Sequence, residues 1–340
     1  MTADLSDGSD IPVPAFTDLV DLAAERLGGA VIATNDEFFA PKENLIKGSS
    51  PRWRERKYTD RGKWMDGWET RRRRTPGNDW AVIQLGLPGI IRGIVVDTSY
   101  FTGTYPEEAS IDAITFDGTP SADRLTSRDI LWDPLLPKVK LKGNSVNAFP
   151  VDGMNRVTHL RLNIFPDGGV ARLRVHGEVV PAENTFHSED EVDLAAMENG
   201  GFVVSCSDMH YGNRHNLILP GRSTHMGDGW ETKRRRGPGH DWAIVRLARR
   251  GVIHRVKLDT DHFKGNAPGS CMLEYCDAGA SFNADTAQWN PLVSEVSLYP
   301  DARHRWEDLS ATPATHVRLN IYPDGGVARL RLFGRAGSRT

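Results

Sequence analysis

The feature of this 340-residue sequence that most constrains its fold is an internal duplication. DGWETRRRRTPGNDWA at 66–81 recurs as DGWETKRRRGPGHDWA at 228–243, an offset of 162 residues, with thirteen of sixteen positions identical. NIFPDGGVARLRVHG at 163–177 recurs as NIYPDGGVARLRLFG at 320–334, an offset of 157, with twelve of fifteen identical. Repeats of this length are too long for a solenoid and match whole domains. The sequence therefore predicts two similar domains in tandem.

The limits of the two copies follow from the same alignment. We expect the first domain at residues 15–180 and the second at 188–337, with a linker between them at 181–187. Upstream of the DGWET block the offset between the copies is 172, so the first copy carries ten additional residues (172 − 162) around PRWRERKYTD at 51–60. This insertion is expected to be a loop.

Alternating apolar and polar residues predict that both copies consist mainly of β-strands. Leu160, Leu162 and Ile164 alternate with polar neighbours, as do Leu173 and Val175, and the second copy repeats the pattern. The PDGG between these runs has turn chemistry, so each pair of runs is expected to form a β-hairpin. Further strands are predicted at 81–87, 90–98, 110–116, 243–247, 252–260 and 271–275.

Each copy opens with a segment that is expected to be a short helix, FTDLVDLAAERLGG at 16–29 and SEDEVDLAAMENGG at 188–201. Both end in Gly-Gly, which favours a helix C-cap, and Ser188 with Glu191 has the spacing of a capping box. Many short strands with few helices predict an all-β chain of two tandem jelly-roll β-sandwich domains, each with a short N-terminal helix.

Composition narrows the class of protein. Hydrophobic residues make up 39% of the chain and charged residues 26%, which is typical of a soluble globular protein. The net charge of −3 argues against binding to nucleic acid or to an anionic membrane, both of which attract positively charged proteins. An odd number of cysteines (Cys206, Cys271, Cys276) and the lack of a signal peptide or a long apolar run indicate a cytoplasmic protein.

The DGWET blocks hold the strongest candidates for chemistry. A run of four cations is unfavourable in a half-buried strand unless an anion lies there, so a carboxylate ligand is expected beside the arginines. The candidate acid–base residues are Glu69, Asp79, Glu231 and Asp241, and the candidate carboxylate-binding residues are Arg71, Arg72, Arg73, Arg234 and Arg235. The alternative is that Trp68 and Trp80 fill the core while the arginines form a solvated face neutralised by Glu69 and Asp79.

Two further pairs of residues are candidates for the same site. Asp97 and Asp259 end a strand, where an aspartate either enters a loop-built pocket or initiates a turn. Arg172 and Arg329 follow the PDGG turns and are expected to line the pocket.

A metal site is a separate possibility in the second copy. Asp259, Asp261 and His262 have the composition of a metal site, although on a strand His262 points away from the aspartates. The sequence requires no cofactor and leaves a divalent metal open.

The motifs DGWETRRRR, DTSYFTG and NIFPDGGVARLRVHG, each present twice in close variants, resemble those of allantoicases, the allantoate amidinohydrolases of purine catabolism. The resemblance spans residues 19–334 and implies discoidin-like jelly rolls, a homo-oligomer, and hydrolysis of allantoate to ureidoglycolate and urea. Thr104 departs from the family pattern, which Asn266 follows, and the basic insertion at 52–61 is a second departure. The alternative is a non-catalytic module that binds a sugar or another small polar ligand. Whether each copy has its own site stays open.

Overall fold

The computed structural model describes residues 13–337 apart from 117, 188–189, 280 and 310–311. The chain divides into two compact units, the first ending at Val179 and the second beginning at Val180. Each unit holds one copy of the repeat, while the domain limits of 15–180 and 188–337 stay a prediction. Ser188 lies outside the described residues, and so does the predicted capping box to which it belongs.

Strands dominate both units. Those of the first are β1 (Val20–Asp21), β2 (Ala30–Thr34), β3 (Tyr58–Thr59), β4 (Gly62–Lys63), β5 (Trp68–Glu69), β6 (Asp79–Asp97), β7 (Glu108–Ile114), β8 (Asp133–Lys140), β9 (Val146–Pro150), β10 (Val157–Phe165), β11 (Gly169–Val170) and β12 (Arg172–Val179). Those of the second are β13 (Val192–Asp193), β14 (Phe202–Cys206), β15 (Trp230–Glu231), β16 (Asp241–Asp259), β17 (Ser270–Cys276), β18 (Asn290–Ser297), β19 (Arg303–Trp306), β20 (Ala314–Tyr322), β21 (Gly326–Val327) and β22 (Arg329–Ala336).

Helices are few and short. Among the described residues one α-helix spans Ala122–Thr126, and single 3-10 turns lie at Ala15–Asp18, Glu25–Leu27, Lys42–Ile46, Glu183–Thr185, Met197–Asn199, Arg214–Ile218 and Met226–Asp228. Within the part of the chain that the structure describes, no helix has the length and apolar character needed to cross a membrane.

The long strand β6 organises the first unit because it belongs to two sheets. Its first half pairs with β2 and β10, and that sheet continues through β7 to β8. Its second half pairs with β9 and β12, and β12 carries β1 at its edge. The second unit repeats this arrangement around β16. Two antiparallel sheets that share one long strand form the predicted β-sandwich of each copy.

The core lies between the two sheets of each sandwich. Ile83 and Leu162 from the first sheet and Ile94 and Leu173 from the second are fully buried. These residues occupy the apolar positions of the alternating pattern. The segments predicted as separate strands at 81–87 and 90–98 are one continuous strand, Asp79–Asp97. Its pairing register shifts on both sides of Gly89, between Gln84 and Gly89 against β10 and between Ile91 and Gly93 against β12, but the pairing does not end.

The predicted hairpins around PDGG are wrong. β10 pairs with the first half of β6 and β12 with its second half, so the turn connects the two sheets instead of two neighbouring strands. The residues after the turn form β11, which pairs with β5, and β21 pairs with β15 in the second copy. Alternation identifies a strand but not its partner, so only the tertiary structure reveals this connection.

The predicted N-terminal helices are not formed. The first segment has two short 3-10 turns, at Ala15–Asp18 and Glu25–Leu27, and the described part of the second has one, at Met197–Asn199. Between the two turns of the first segment, Asp21 joins the edge of β12 and its carboxylate accepts the Val175 N–H at 2.9 Å and the Ala23 N–H at 3.3 Å. These bonds to a strand edge replace the helix. The predicted glycine caps are present, since Gly28 has φ 95° and Gly200 φ 102°.

Buried His316 makes the stability of the second copy depend on pH. Its Nδ1 lies 2.9 Å from the Thr315 hydroxyl and its ring stacks on Phe282, while burial and Arg246 lower its pKa from 6.5 to about 4. The unfolded chain therefore binds the proton more tightly, so stability is full above pH 6.5 and is lost as the pH falls towards 4. Between neutral pH and about pH 5 we expect a loss of about 2 kcal/mol.

Urea unfolding at both pH values tests this expectation. His316→Gln should show a smaller pH dependence than the original protein, because the titrating group is gone while all others are shared. An equal pH dependence in the two proteins would contradict the assignment.

Candidate active site

The DGWET block of each copy is held against its PDGG turn. Trp68 is fully buried and its indole N–H donates to the Asp36 carbonyl at 2.8 Å, so this residue belongs to the core. Thr70 donates its N–H to the Gly168 carbonyl at 3.1 Å, and its hydroxyl accepts the Gly168 N–H at 3.1 Å. Thr232 and Gly325 make the same two bonds in the second copy. The backbone between these anchors, which carries the glutamate, is therefore fixed.

Glu69 lies in a cleft of about 680 Å³ that runs along the arginine segment of the first copy. The opposite walls come from the loop at 103–107 and from the PDGG turn, and the lining side chains there are Thr104, Tyr105, Glu107 and Asp167. Tyr105, Glu107 and Asp167 are not among the site residues predicted from the sequence, because a turn-like segment gives no sign that its side chains face a carboxylate. Asp167 could have been found from the sequence, because the same residue, Asp324, stands at the equivalent position of the second copy.

The environment of Glu69 suits proton transfer. Burial raises its pKa from 4.5 to about 7, and a hydrogen bond with Thr104 acts in the opposite direction. A carboxyl group with a pKa near neutrality can give a proton and take one back at the same pH. The other ionisable groups of the cleft are the arginines at 71–74, Tyr105, Glu107 and Asp167.

The arginines of the first copy differ in whether their guanidinium groups already form ion pairs with aspartates of the protein. The Nε of Arg71 lies 2.6 Å from Oδ2 of Asp36, and Nη1 of Arg73 lies 2.6 Å from Oδ1 of Asp79. Arg72 is exposed at the cleft and forms no ion pair or side-chain hydrogen bond with any residue that the structure describes. Arg72 is therefore the predicted carboxylate-binding arginine whose guanidinium is still free.

The second copy also has both paired and unpaired cationic side chains in this segment. Arg235 pairs with Asp241, and Lys233 takes the place of Arg71. Arg234, the counterpart of Arg72, is exposed and has no ion-pair partner among the described side chains. Arg74 and Arg236 were not among the residues predicted from the sequence, and they too have no ion-pair partner among the described side chains.

Asp79 and Asp241 do not lie with the glutamates. Each is 2% exposed at the start of the long strand of its copy. Besides its arginine, Asp79 accepts the Asn35 amide at 2.8 Å, and Asp241 accepts the Ser207 hydroxyl at 2.9 Å. These partners bind Oδ1 of each carboxylate and tie the arginine segment to the sandwich, whereas Oδ2 of Asp79 is buried and has no hydrogen-bond partner among the described residues. The alternative of neutralised arginines therefore holds for the Arg73–Asp79 pair.

Arg172 and Arg329 do not line the cleft, contrary to the expectation from sequence. Each is 1% exposed. Nη2 of Arg172 lies 3.0 Å from Oδ1 of Asp66 and Nη1 donates to the Asp66 carbonyl at 2.9 Å, while Nη2 of Arg329 lies 3.2 Å from Oδ2 of Asp228. The guanidinium groups thus hold the start of each DGWET block, and their burial excludes contact with a ligand in the cleft.

Asp97 and Asp259 are also separate from the glutamates. Asp97 accepts the Ser99 N–H at 2.8 Å, which is the turn-initiating alternative, and it does not line the Glu69 cleft. Asp259 lies in another groove, beside Arg303 and Arg331. There burial and the neighbouring Asp261 raise its pKa, and the arginines oppose this rise.

The residues considered for a metal have other partners. Oδ2 of Asp261 lies 3.2 Å from Nη2 of Arg222 and 3.3 Å from Nε of Arg303. The ring of His262 lies 3.1 Å from the Ser223 carbonyl. Across the described ranges, no group of three or more His, Cys, Asp or Glu side chains is arranged to hold a metal ion.

Glu231 occupies the position of Glu69 but has a different neighbour. The Asn266 amide donates to Oε1 of Glu231 at 2.6 Å. A cleft of about 680 Å³ also follows the arginine segment of the second copy, but it opens on the side of Asp208 and Asp241, and Glu231 does not line it.

Comparison with known proteins shows similarity over both copies. The family model described as the allantoicase repeat matches residues 20–180 and 192–337. A probable allantoicase of Nocardia farcinica is 49% identical over 324 residues, covering 95% of this chain and 96% of that protein. An allantoicase of Dictyostelium discoideum is 45% identical over 322 residues, covering 93% and 87%. The crystal structure of allantoicase from Saccharomyces cerevisiae has a TM-score of 0.79 at 37% identity, covering 93% of this chain and 92% of that one.

Proposed function

This chain belongs to the allantoicase family, and on that premise we propose that it hydrolyses allantoate to (S)-ureidoglycolate and urea in allantoin degradation. The observation that carries the assignment of a site is the first-copy cleft, where a carboxyl with a pKa of about 7 lies near a free guanidinium. We assign the proton transfer to Glu69 and the binding of the substrate carboxylate to Arg72.

The reaction needs a proton donor because, without protonation of the nitrogen, the group that leaves would be the strongly basic anion of urea. Allantoate carries a carboxylate, a hydrogen and two ureido groups on one carbon. Protonated Glu69 gives its proton to one ureido nitrogen as the carbon–nitrogen bond breaks, and the lone pair of the other ureido nitrogen stabilises the carbon. Water then adds to this carbon and returns a proton to Glu69. The products are urea and ureidoglycolate, and the glutamic acid is regenerated.

The lining of the cleft favours this reaction over sugar binding. The cleft does contain two aromatic residues, Phe39 and Tyr105, but it also combines four arginines with carboxyl groups, and a site for a neutral sugar needs no such concentration of cations. Incubating the purified protein with allantoate and measuring urea tests the proposal. Urea should form with saturation in allantoate, and saturable binding of a sugar without urea release would overturn it.

Arg72→Lys tests the carboxylate-binding residue. A guanidinium binds a carboxylate through two parallel hydrogen bonds, and a lysine ammonium cannot reproduce this geometry. We expect KM for allantoate to rise about tenfold or more, corresponding to about 1.4 kcal/mol, with a smaller change in kcat.

Arg71→Lys is the matched control for this change. It introduces the lysine that the second copy already has at position 233, and Arg71 is bound to Asp36. Its KM should change less than that of Arg72→Lys. A larger rise in KM for Arg71→Lys would transfer the carboxylate-binding role to Arg71.

We further infer from family membership that the enzyme is a cytoplasmic homo-oligomer whose partner is allantoate and that it binds neither nucleic acid nor membranes. The net charge of −3 supports the inference about nucleic acid and anionic membranes, because proteins that bind them usually carry a positive surface. Light scattering coupled to size-exclusion chromatography measures the assembly, and a mass of one chain would overturn the oligomer.

A further inference from the structure

The second copy has a groove of about 720 Å³ on the outer face of one of its sheets. Strand β16 forms the middle of its floor, and Val256 and Leu258 are fully buried, so Lys257 between them points away from the core. Lys257 lies directly opposite Arg331 of β22 on one side and Arg305 of β19 on the other. All three line the groove, which therefore presents three cations side by side.

The first copy forms the same sheet without this row of cations. Its register places Val95 of β6 opposite Arg174 of β12 and opposite Ala148 of β9. Only the arginine is common to both copies, since the second has lysine in place of the valine and Arg305 in place of the alanine. Like charges directly opposite each other destabilise a sheet. The fold therefore does not require the row, and an anion between the cations would offset its cost.

The protein itself supplies little negative charge to the middle of the row. Nε of Arg331 lies 3.7 Å from Oδ2 of Asp193. Nε of Arg305 lies 3.4 Å from Oε1 of Glu307, and both of these side chains are more than half exposed. Lys257 forms no ion pair or side-chain hydrogen bond with any residue that the structure describes. An anionic ligand in the groove would provide the counter-charge that Lys257 lacks.

An acceptor without a donor lies beside these cations. Asp259, two residues after Lys257 on the same face of β16, also lines the groove. Its carboxyl group accepts no hydrogen bond from a residue in the described ranges, whereas the equivalent Asp97 accepts the Ser99 N–H at 2.8 Å. Arg303, directly opposite Asp259, pairs with Asp261 at 3.3 Å. A half-buried acceptor gains from a hydrogen bond, so a ligand with N–H groups would complete Asp259.

The charges around Asp259 also limit the kind of donor. Arg303 and Arg222 are both part of the groove, and they would repel an ammonium group. A neutral amide or ureido group can donate N–H bonds without this repulsion. Residues two apart on a strand are separated by about 7 Å, a distance that a small molecule with a carboxylate at one end and a ureido group at the other can span.

We propose that this groove binds a small carboxylate that carries neutral N–H donors, such as a ureido acid, with Lys257 and Arg305 holding the carboxylate and Asp259 accepting the N–H groups. The site belongs to the second copy and includes neither Glu69 nor Arg72. The inference is therefore independent of the reaction proposed above.

Isothermal titration of the full-length protein with N-carbamoylglycine, a carboxylate with one ureido group, tests the anion-binding half of the site. Lys257→Val and Arg305→Ala introduce the residues of the first copy, so both variants should fold, and thermal unfolding checks this. Each should raise Kd about tenfold or more, because a charge-assisted hydrogen bond is lost. Lys264→Val and Arg250→Ala are matched controls outside the groove, where the side chains are 77% and 51% exposed, and their Kd should not change.

Asp259→Ala tests the acceptor with a pair of ligands. It should weaken binding of N-carbamoylglycine but not of glycolate, which has a carboxylate and no N–H group. An equal effect on both ligands, or glycolate binding as tightly as N-carbamoylglycine to the original protein, would overturn the proposed recognition of N–H groups. The absence of saturable binding would overturn the site. So would an unchanged Kd in Lys257→Val, since the ligand would then occupy another part of the protein.

Discussion

Glu69→Gln is expected to lower kcat for urea release from allantoate by about 10²- to 10⁴-fold, the range that general acid–base catalysis contributes. Glutamine has the shape of the protonated glutamate but cannot give up a proton at neutral pH. KM should change much less, because binding of the carboxylate is assigned to Arg72. The measurement is the rate of urea release at saturating allantoate, at a pH near the Glu69 pKa of about 7.

Glu231→Gln provides the comparison within the same molecule. The glutamate has the same backbone position, but it is bound by Asn266 and does not line the cleft of its copy. Its substitution should lower kcat far less than Glu69→Gln. Equal losses for the two variants would show that both copies turn over, and full activity of both would remove glutamate from the mechanism.

Asp79→Asn is expected to destabilise the first copy by about 3 kcal/mol, the lower end of the cost of breaking a buried ion pair. The carboxylate is 2% exposed and the side chain of Arg73 is 23% exposed, so Arg73 would lose its counter-charge in a site that water reaches only in part. Urea unfolding measures the loss.

A surface pair serves as the control for Asp79→Asn. Arg124 and Asp129 also form an ion pair, but their side chains are 52% and 73% exposed, so Asp129→Asn should change stability by less than about 1 kcal/mol. If Asp79→Asn unfolds like the original protein but loses as much kcat as Glu69→Gln, then Asp79 is an acid–base residue, as its sequence position first suggested.

The difference between Asp79 and Glu69 illustrates where sequence reasoning reached its limit. Both are acids of the same duplicated block, only ten positions apart. One faces the cleft and the other is buried at the start of the long strand. The arginines at 71–73 are equally alike in sequence, yet in the fold Arg71 pairs with Asp36 and Arg73 with Asp79, whereas Arg72 has no ion-pair partner among the described residues. Residue type predicted which acids and arginines were candidates for the site, and burial and ion pairing in the fold showed which of them face the cleft.

The sequence by itself determined the duplication, the β-rich sandwich of each copy and the family, because these follow from residue identity and from a period of two that is local to each strand. Only the tertiary structure decided that PDGG joins two sheets and that Arg172 is a buried anchor. It also decided that Thr104, Glu107 and Asp167 meet Glu69 at one cleft. The physical reason is that pairing and burial depend on contacts between distant segments, and no local pattern records them.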